Sequence, residues 1–180
     1  MQSQRFLTDE VKKRLTESGL ELHLPDNFYR ITPPGNYPPI HPDFEESPFL
    51  IGLVNHNNKI MITISMTSYP KLIGKINKYL IATVDMNHIS KKALAAQIDV
   101  RLGKMSLVGP NNIKKLNADR GYLYNIKVQG KYLGIYPRCK KLEIYKDNVA
   151  RVEILFFYNY GQDEIVMKEI GKTWGMLKFK

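Results

Sequence analysis

Cysteine is almost absent from this sequence, which has 180 residues and a single cysteine, Cys139. One cysteine excludes an internal disulfide bond and a cysteine-based zinc site. Apolar runs of about 18 residues are also missing, so the sequence predicts no membrane-spanning helix. Residues 1–6 lack the apolar segment of a secretory signal. We therefore expect a cytoplasmic protein, or a periplasmic or extracellular one if a signal peptide has been removed.

Motifs for catalysis and cofactor binding are missing as well. The four histidines form no His-x-His or i,i+4 pair that could grip a metal. Gly74 and Lys75 lack the glycine spacing and the following Ser or Thr of a phosphate-binding loop. Ser68 and Lys71 match the Ser-x-x-Lys motif of penicillin-binding enzymes, but Pro70 lies between them and the companion motifs are absent. We expect a non-enzymatic protein without metal or cofactor, in which Ser68 is a helix cap.

One region leaves an enzymatic alternative open. Seven of the ten prolines lie in residues 25–48, which predicts a long, stiff loop, and long loops often carry function. The densest polar cluster of the sequence lies in this loop and consists of His41, Asp43, Glu45 and Glu46. It could hold a divalent cation or belong to an active site, although a solvated acidic loop is the commoner interpretation. Cys139 has cationic neighbours that favour a nucleophilic thiol, yet an unreactive strand cysteine is the simpler interpretation.

The net charge of the whole chain is +10. Acidic residues are scarce in its second part. Residues 1–70 hold 6 Lys or Arg and 8 Asp or Glu, whereas residues 71–180 hold 21 and 9. Within residues 71–141 there are 15 basic residues and 3 acidic ones. Such a segment attracts phosphate, acidic protein surfaces or anionic lipid, although a solvated Lys-rich surface has the same composition.

Local signals predict helices separated by strands. Thr8 and Gly19 fit the two ends of a first helix, Ser90 and Gly103 those of a middle one. Pro70 fits the first turn of another helix, and a final helix is expected at about 162–174. Residues 109–112 are expected to form a loop. Strands are expected at 20–24, 28–31, 49–54, 59–67, 122–128, 132–136, 142–145, 150–160 and 176–179.

Short turns between the predicted strands imply antiparallel pairing. The clearest hairpin covers 49–67, and its second strand alternates in character. We expect one face of that strand in the core and a wetter face made of Met61, Thr63, Ser65 and Thr67. The fold class predicted is α+β, an antiparallel sheet with helices packed on it. The helix in residues 1–19 is expected to belong to the same domain as residues 20–180.

The order of these elements resembles the PsbP-like fold family. That group includes a photosystem II extrinsic subunit, a Ran-binding nuclear import factor, and bacterial lipoproteins and secretion-associated proteins. The resemblance covers residues 20–180 and rests on the early strand with its proline loop, the hairpin 49–67, the helix 90–102, the strands 122–128 and 150–160, and the closing segment 163–179. It implies an α/β/α sandwich and a non-catalytic adaptor, chaperone or assembly factor, and it carries over no functional residue.

The predicted partner-binding residues are cations interleaved with tyrosines in the basic segment. They are Lys114, Lys115, Arg120, Tyr122, Tyr124, Lys127, Lys131, Tyr132, Arg138, Lys140 and Lys141. The function we predict is a non-enzymatic protein-binding module, of the adaptor, chaperone, secretion-associated or immunity type, whose basic surface contacts an acidic protein or peptide. One alternative is nucleic-acid binding, since tyrosines beside cations can stack bases, although tyrosine is also simply favoured in strands. The other is an enzyme with a site near His41.

Overall fold

The computed structural model describes residues 7–24, 28–31, 50–55, 60–68, 106–126, 128 and 130–180. Three helices occur in these ranges: α1 (Asp9–Glu17), α2 (Pro110–Leu116) and α3 (Asp163–Met176). The strands of the same ranges are β1 (Leu20–Leu22), β2 (Phe28–Ile31), β3 (Ile51–Asn55), β4 (Ile60–Ser68), β5 (Ser106–Leu107), β6 (Arg120–Ile126), β7 (Arg138–Lys146), β8 (Ala150–Tyr158) and β9 (Leu177–Phe179).

The strands form two antiparallel sheets. The large sheet has the order β2-β3-β4-β8-β7-β6-β5, and every neighbouring pair in it is antiparallel. The small sheet pairs β1 with β9, with Leu20 opposite Phe179. An antiparallel sheet with helices packed on it is the predicted α+β class, which the structure confirms.

The first helix forms for the reasons that the sequence gives. Thr8 caps it, because its Oγ1 accepts a hydrogen bond from the Val11 backbone N–H at 3.4 Å. Asp9 and Glu10 lie in the first turn, where a helix dipole favours negative charge. Val11 and Leu15, one turn apart, are the buried residues of the helix and join the main core.

One face of the large sheet packs against α1 and α3, and we call it the helix face. Ile62 on β4 and Ile154 on β8 lie at its centre, almost fully buried. Val166 and Ile170 of α3 belong to the same buried cluster. Burial of each such side chain contributes about 1.5–3 kcal/mol, so this face supplies most of the apolar stabilisation of the described residues.

The opposite face of the large sheet is also buried, and we call it the tyrosine face. Met61, Thr63 and Ser65 on β4 are at most 4% exposed, so the prediction of a wetter face for this strand was wrong. Met61 packs with side chains of β6 and β8, which are distant in sequence, so the alternation within β4 could not reveal this burial. Tyr124 and Phe157 belong to a second buried cluster on this face.

Three local predictions need correction. Residues 109–112 are not a loop: Gly109 is the N-cap of α2 and Pro110 occupies its first turn, where a missing N–H costs no hydrogen bond. Residues 132–136 are not a strand, because Tyr132 and Tyr136 form a single bridge that closes a turn. Helix α3 continues past Trp174 to Met176, so Gly175 does not end it.

Several predictions fall on residues that the structure does not describe. They include the proline-rich loop with the cluster around His41, and the helices expected to begin at Pro70 and Ser90. Lys127 is also among them. No helix among the residues described is long and apolar enough to cross a membrane.

Candidate functional site

Four exposed lysines lie on two segments that are joined where α2 ends, and we call this group the basic corner: Lys114, Lys115, Lys178 and Lys180. Asn117 ends α2 in the left-handed conformation, with φ 50°. Its Nδ2 donates a hydrogen bond of 3.0 Å to the carbonyl of Phe179. Phe179 lies between Lys178 and Lys180 in the sequence. One side chain thus joins two lysine pairs that are far apart in sequence.

The charge of the basic corner is compensated only in part by a cross-strand neighbour. Glu21 on β1 lies opposite Lys178 in the small sheet. In the described parts of the chain, none of the four lysines has a carboxylate within ion-pair distance. Four like charges at one place raise the local positive potential, which favours contact with an anionic surface.

A second group of charges is buried on the tyrosine face. Lys141 Nζ lies 2.7 Å from Glu143 Oε1 and 2.8 Å from Glu153 Oε2. The guanidinium of Arg151 pairs with the other oxygen of Glu153. Tyr145 donates its hydroxyl to Glu143 Oε2 at 3.0 Å. The side chains of Lys141, Glu143 and Glu153 are only 7%, 4% and 9% exposed, so this is a largely dry ionic network.

The network favours the charged forms of Lys141 and Glu143 despite their burial. Burial alone would lower the pKa of Lys141, but Glu143 and Glu153 offset this and hold the pKa above its ordinary value. Burial alone would raise the pKa of Glu143, but Lys141 offsets it and the pKa is lowered. Burial, together with the Glu143 carboxylate, raises the pKa of Tyr124, so that phenol stays neutral. A fully paired network of this kind serves structure and offers no free charge to a ligand.

Aromatic contacts border the network. Tyr122 meets the ring of Tyr145 edge to face, with centroids 5.9 Å apart. The guanidinium of Arg120 lies over the Tyr145 ring, 4.7 Å from its centroid. Arg120 Nη1 is also 2.6 Å from Asp147 Oδ1. Lys141 Nζ lies 5.7 Å from the centroid of the Tyr124 ring. These rings are engaged by cations of the same chain.

The connection from β6 to β7 contains a compact turn, residues 131–136, which we call the aromatic turn. The backbone groups of Tyr132 and Tyr136 are hydrogen-bonded to each other in both directions, at 2.8 and 2.9 Å. The Tyr132 ring stacks on Phe157 with centroids 4.3 Å apart. Leu133 and Ile135 point away from this stack and are 38% and 53% exposed.

Cations also gather where α3 begins. Asp163 Oδ2 accepts a hydrogen bond of 3.1 Å from Arg138, and Asp163 Oδ1 lies 3.8 Å from Lys140 Nζ. Tyr158 donates its hydroxyl to Asp163 Oδ1 at 3.0 Å. The pKa of Tyr158 is raised, mainly by burial and in second place by the Asp163 carboxylate. The guanidinium of Arg138 lies 5.9 Å from the ring centroid of Tyr160, which is 72% exposed. One carboxylate thus serves two cations here.

The predicted partner-binding residues divide among these places. Lys114 and Lys115 are in the basic corner. The tyrosine face holds Arg120, Tyr122, Tyr124 and Lys141. The aromatic turn and the adjacent start of β7 hold Lys131, Tyr132, Arg138 and Lys140. Within the described ranges, Lys114, Lys115 and Lys131 are exposed without an ion pair, whereas Arg120, Arg138, Lys140 and Lys141 each have a carboxylate partner.

Sequence reasoning missed the acidic half of the buried network. The turn at Asp147 and Asn148 sets the register of the hairpin β7–β8, and this register places Glu143 opposite Glu153. Counting outward from that turn would have shown both glutamates and Lys141 on one face. The role of Asn117 had no comparable signal, because its contact with Phe179 crosses 62 positions of the chain.

Other sequence-based candidates have ordinary surroundings. Cys139 is buried, and its thiol lies 3.6 Å from the Lys140 carbonyl oxygen, in keeping with an unreactive strand cysteine. Ser68 is the last residue of β4 and donates its hydroxyl to the Glu17 carbonyl at 3.2 Å, while Lys71 lies outside the described residues. Where side chains are described, no group of three or more His, Cys, Asp and Glu residues could hold a metal ion.

Comparisons with known proteins gave a likeness in structure and none in sequence. No family model matches the chain, and no curated protein matches it in sequence. The chain is similar in structure to cyanobacterial PsbP (CyanoP) from Synechocystis sp. PCC 6803, with a TM-score of 0.49 and 6% identity, over 92% of this chain and 89% of that chain. Membership of the PsbP-like family stays a prediction from the order of the elements.

Proposed function

We propose that this chain is a non-enzymatic protein-binding module whose basic corner contacts an acidic surface or peptide of a partner protein. The observation that carries the proposal is that four exposed lysines without ion pairs among the described residues lie on two joined segments, two on α2 and two on either side of Phe179. Charge complementarity of this kind steers association and selects the partner more than it adds affinity.

The construction of the basic corner supports a rigid contact surface. Asn117 anchors the end of α2 to the backbone of Phe179, and both Leu116 and Phe179 are buried beneath the exposed lysines. A rigid backbone lowers the entropy that is lost when a partner binds. The lysine side chains themselves remain free to adapt to the positions of carboxylates on the partner.

Protein binding is favoured over nucleic-acid binding because of the tyrosines. A stacking platform for bases needs exposed rings, but Tyr124 and Tyr132 are 2% and 3% exposed. Tyr122 is half-buried against Tyr145. In the nucleic-acid hypothesis Lys141 would neutralise phosphates, but it is paired with Glu143 and Glu153.

The test is a charge reversal at the basic corner. Lys114→Glu/Lys115→Glu removes half of the corner, and Lys12→Glu/Lys13→Glu is the matched control, since it reverses two adjacent exposed lysines on α1. Tagged full-length protein and both variants are incubated with extract from the native host, and bound proteins are quantified by mass spectrometry. We expect acidic proteins that bind the parent and the control, are lost with the corner variant, and are released by salt.

Two results would contradict the proposal. One is equal capture of the same proteins by the parent and the corner variant, which would exclude the corner as the contact. The other is salt-sensitive binding of fluorescent DNA or RNA oligonucleotides that the corner variant abolishes, which would assign the lysines to nucleic acid.

A further inference from the structure

Lys178 on β9 and Lys180, which directly follows this strand, project from the same side of the chain. Both lysines are exposed, whereas Leu177 and Phe179, which alternate with them, are buried. Because side chains alternate along an extended chain, the two lysine side chains leave the backbone in the same direction, about 7 Å apart. The pair therefore has the spacing of every second residue of an extended chain.

The backbone under this pair is held from both sides. Lys180 N–H donates a hydrogen bond of 2.7 Å to the Gly19 carbonyl, next to the pairing of β9 with β1. From the end of α2, Asn117 Nδ2 donates its bond of 3.0 Å to the Phe179 carbonyl. These contacts fix the spacing of the lysines, and Asn117 occupies the edge at which a partner would otherwise pair as a further strand. A partner must therefore be recognised through the lysine side chains.

A carboxylate on β1 limits the direction from which an anionic partner can approach. Glu21 is exposed and lies directly opposite Lys178, so the two side chains lie on the same side of the small sheet. Like charges in close juxtaposition cost affinity, so Glu21 disfavours an acidic chain over β1. Lys114 and Lys115 lie on α2, whose end Asn117 joins to β9. An acidic chain is thus favoured along β9 on the side of α2.

The basic corner offers no exposed apolar anchor among the residues described. In those parts of the chain, the large apolar side chains that are exposed are those of Leu107, Leu133, Ile135, Tyr160 and Met167, and none of them belongs to α2 or β9. A contact between two folded proteins usually has an apolar centre with aromatic or arginine anchors. A surface of lysines alone fits a partner that contributes charge and little else, and strongly acidic segments are usually unfolded and extended.

The four cations of the basic corner are all lysines. Arginine is the residue that binds phosphate and nucleic acid through a planar, two-pronged contact, and this group contains none. A lysine ammonium is a compact charge on a flexible stem, so it contacts single carboxylates without demanding a fixed orientation. The composition of the corner therefore favours a chain of separate carboxylates over a phosphate backbone.

We propose that the partner of the basic corner is an extended acidic segment in which a carboxylate occurs at every second residue. Two successive carboxylates on one side of that segment contact Lys178 and Lys180, and Lys114 with Lys115 adds attraction from α2. The inference rests on the proposed function, because it names the partner of the same site. It adds a spacing rule, which charge complementarity alone does not require.

The test uses two synthetic peptides with the same length, composition and net charge. In the first, glutamate alternates with serine, so that the carboxylates on one side of the extended peptide are about 7 Å apart. In the second, pairs of glutamates alternate with pairs of serines, and the carboxylates on one side are about 13 Å apart. Fluorescence anisotropy measures the binding of each labelled peptide to the full-length protein at low salt.

We expect the alternating peptide to bind the parent protein at least about threefold more tightly than the paired peptide. Lys178→Gln and Lys180→Gln should each abolish this preference, since one lysine of the pair cannot read a spacing. Lys114→Gln/Lys115→Gln should weaken the binding of both peptides and leave the preference. Lys12→Gln/Lys13→Gln, on α1, is the matched control and should change neither. Circular dichroism of each variant verifies that it folds.

The outcomes separate this inference from the proposed function. Equal affinity of the parent for the two peptides, with loss of both in Lys114→Gln/Lys115→Gln, would overturn the spacing rule and leave an acidic partner in place. Absence of peptide binding, while acidic proteins are still captured through the corner, would overturn the extended segment in favour of a folded acidic surface. Peptide binding that no lysine substitution weakens would contradict both proposals. Tighter binding of a single-stranded oligonucleotide of equal charge would assign the lysines to nucleic acid and also contradict both.

Discussion

Glu143 and Glu153 lie directly opposite each other on β7 and β8, both buried, and Lys141 Nζ bonds to a carboxylate oxygen of each. Like charges in directly opposite positions of a sheet normally destabilise it. Lys141 and Arg151 reverse that effect here, so each carboxylate depends on a cation for its place in the interior.

Removing the shared cation should therefore be costly. Lys141→Met fills a similar volume but leaves Glu143 without its cation, and we expect a loss of about 3–5 kcal/mol in the free energy of unfolding. Urea denaturation followed by circular dichroism measures it. The triple variant with Glu143→Gln and Glu153→Gln should recover part of the loss, and equal instability of both variants would contradict the assignment.

The pH dependence of stability should have a definite sign. The pKa of Glu143 in the folded protein lies below its ordinary value of 4.5, so its contribution is full above pH 4.5 and is lost as the pH falls through the folded value. The pKa of Lys141 lies above 10.5, so its contribution is full below pH 10.5 and is lost as the pH rises through the folded value.

We expect a plateau of unfolding free energy between these limits, measured by urea titrations on both sides of each. In Lys141→Met the acid limb should reverse, because burial without the cation raises the pKa of Glu143 and protonation then favours the folded state. The same acid limb in parent and variant would contradict the role given to the network.

The stability of the protein should depend on the buried ring of Tyr132 in the aromatic turn and not on the exposed ring of Tyr160. Tyr132→Ala removes the stack on Phe157, and we expect a loss of about 3 kcal/mol. Tyr160→Ala, at a residue 72% exposed, should change the free energy of unfolding by less than about 0.5 kcal/mol. Chemical denaturation compares the two, and a similar loss from both would contradict the packing described.

Helix α3 contains two glycines whose replacement by alanine should stabilise the protein. A Cβ at Gly171 or Gly175 would meet no atom within 4 Å, and neither residue has a positive φ. Gly171→Ala and Gly175→Ala should each stabilise the protein by about 0.5–1 kcal/mol. Gly161→Ala is the control, because Gly161 has φ 77° and alanine is strained there. Thermal melts measure all three, and a lower melting temperature for either helix variant would contradict the expectation.

Local signals were sufficient where a fold element depends on adjacent residues. The cap at Thr8, the alternation in β4 and the acidic start of α3 each act within a few positions, and the corresponding elements are present. The segment 132–136 failed for the opposite reason. Its alternating pattern fits a strand, but the left-handed backbone at Leu133 and Gly134 turns the chain instead.

Charge was the feature that the sequence represented least well. Lys141 was counted among surface cations, yet it is buried and paired with Glu143 and Glu153, a contact that depends on the pairing of β7 with β8. Arg138 and Lys140 were counted in the same way and share Asp163. Net charge records how many cations there are, and only the register of distant strands decides which ones remain available.

The pairing of β1 with β9 bears on how the chain is made. Leu22 lies opposite Leu177, so β1 lacks its partner in the small sheet during synthesis until β9 has left the ribosome. Helix α1 and β1 therefore stay without this pairing while the residues between Leu22 and Leu177 are synthesised, and contacts so distant in sequence are slow to form. Ribosome-bound chains that stop before residue 177 should therefore expose this segment to added protease.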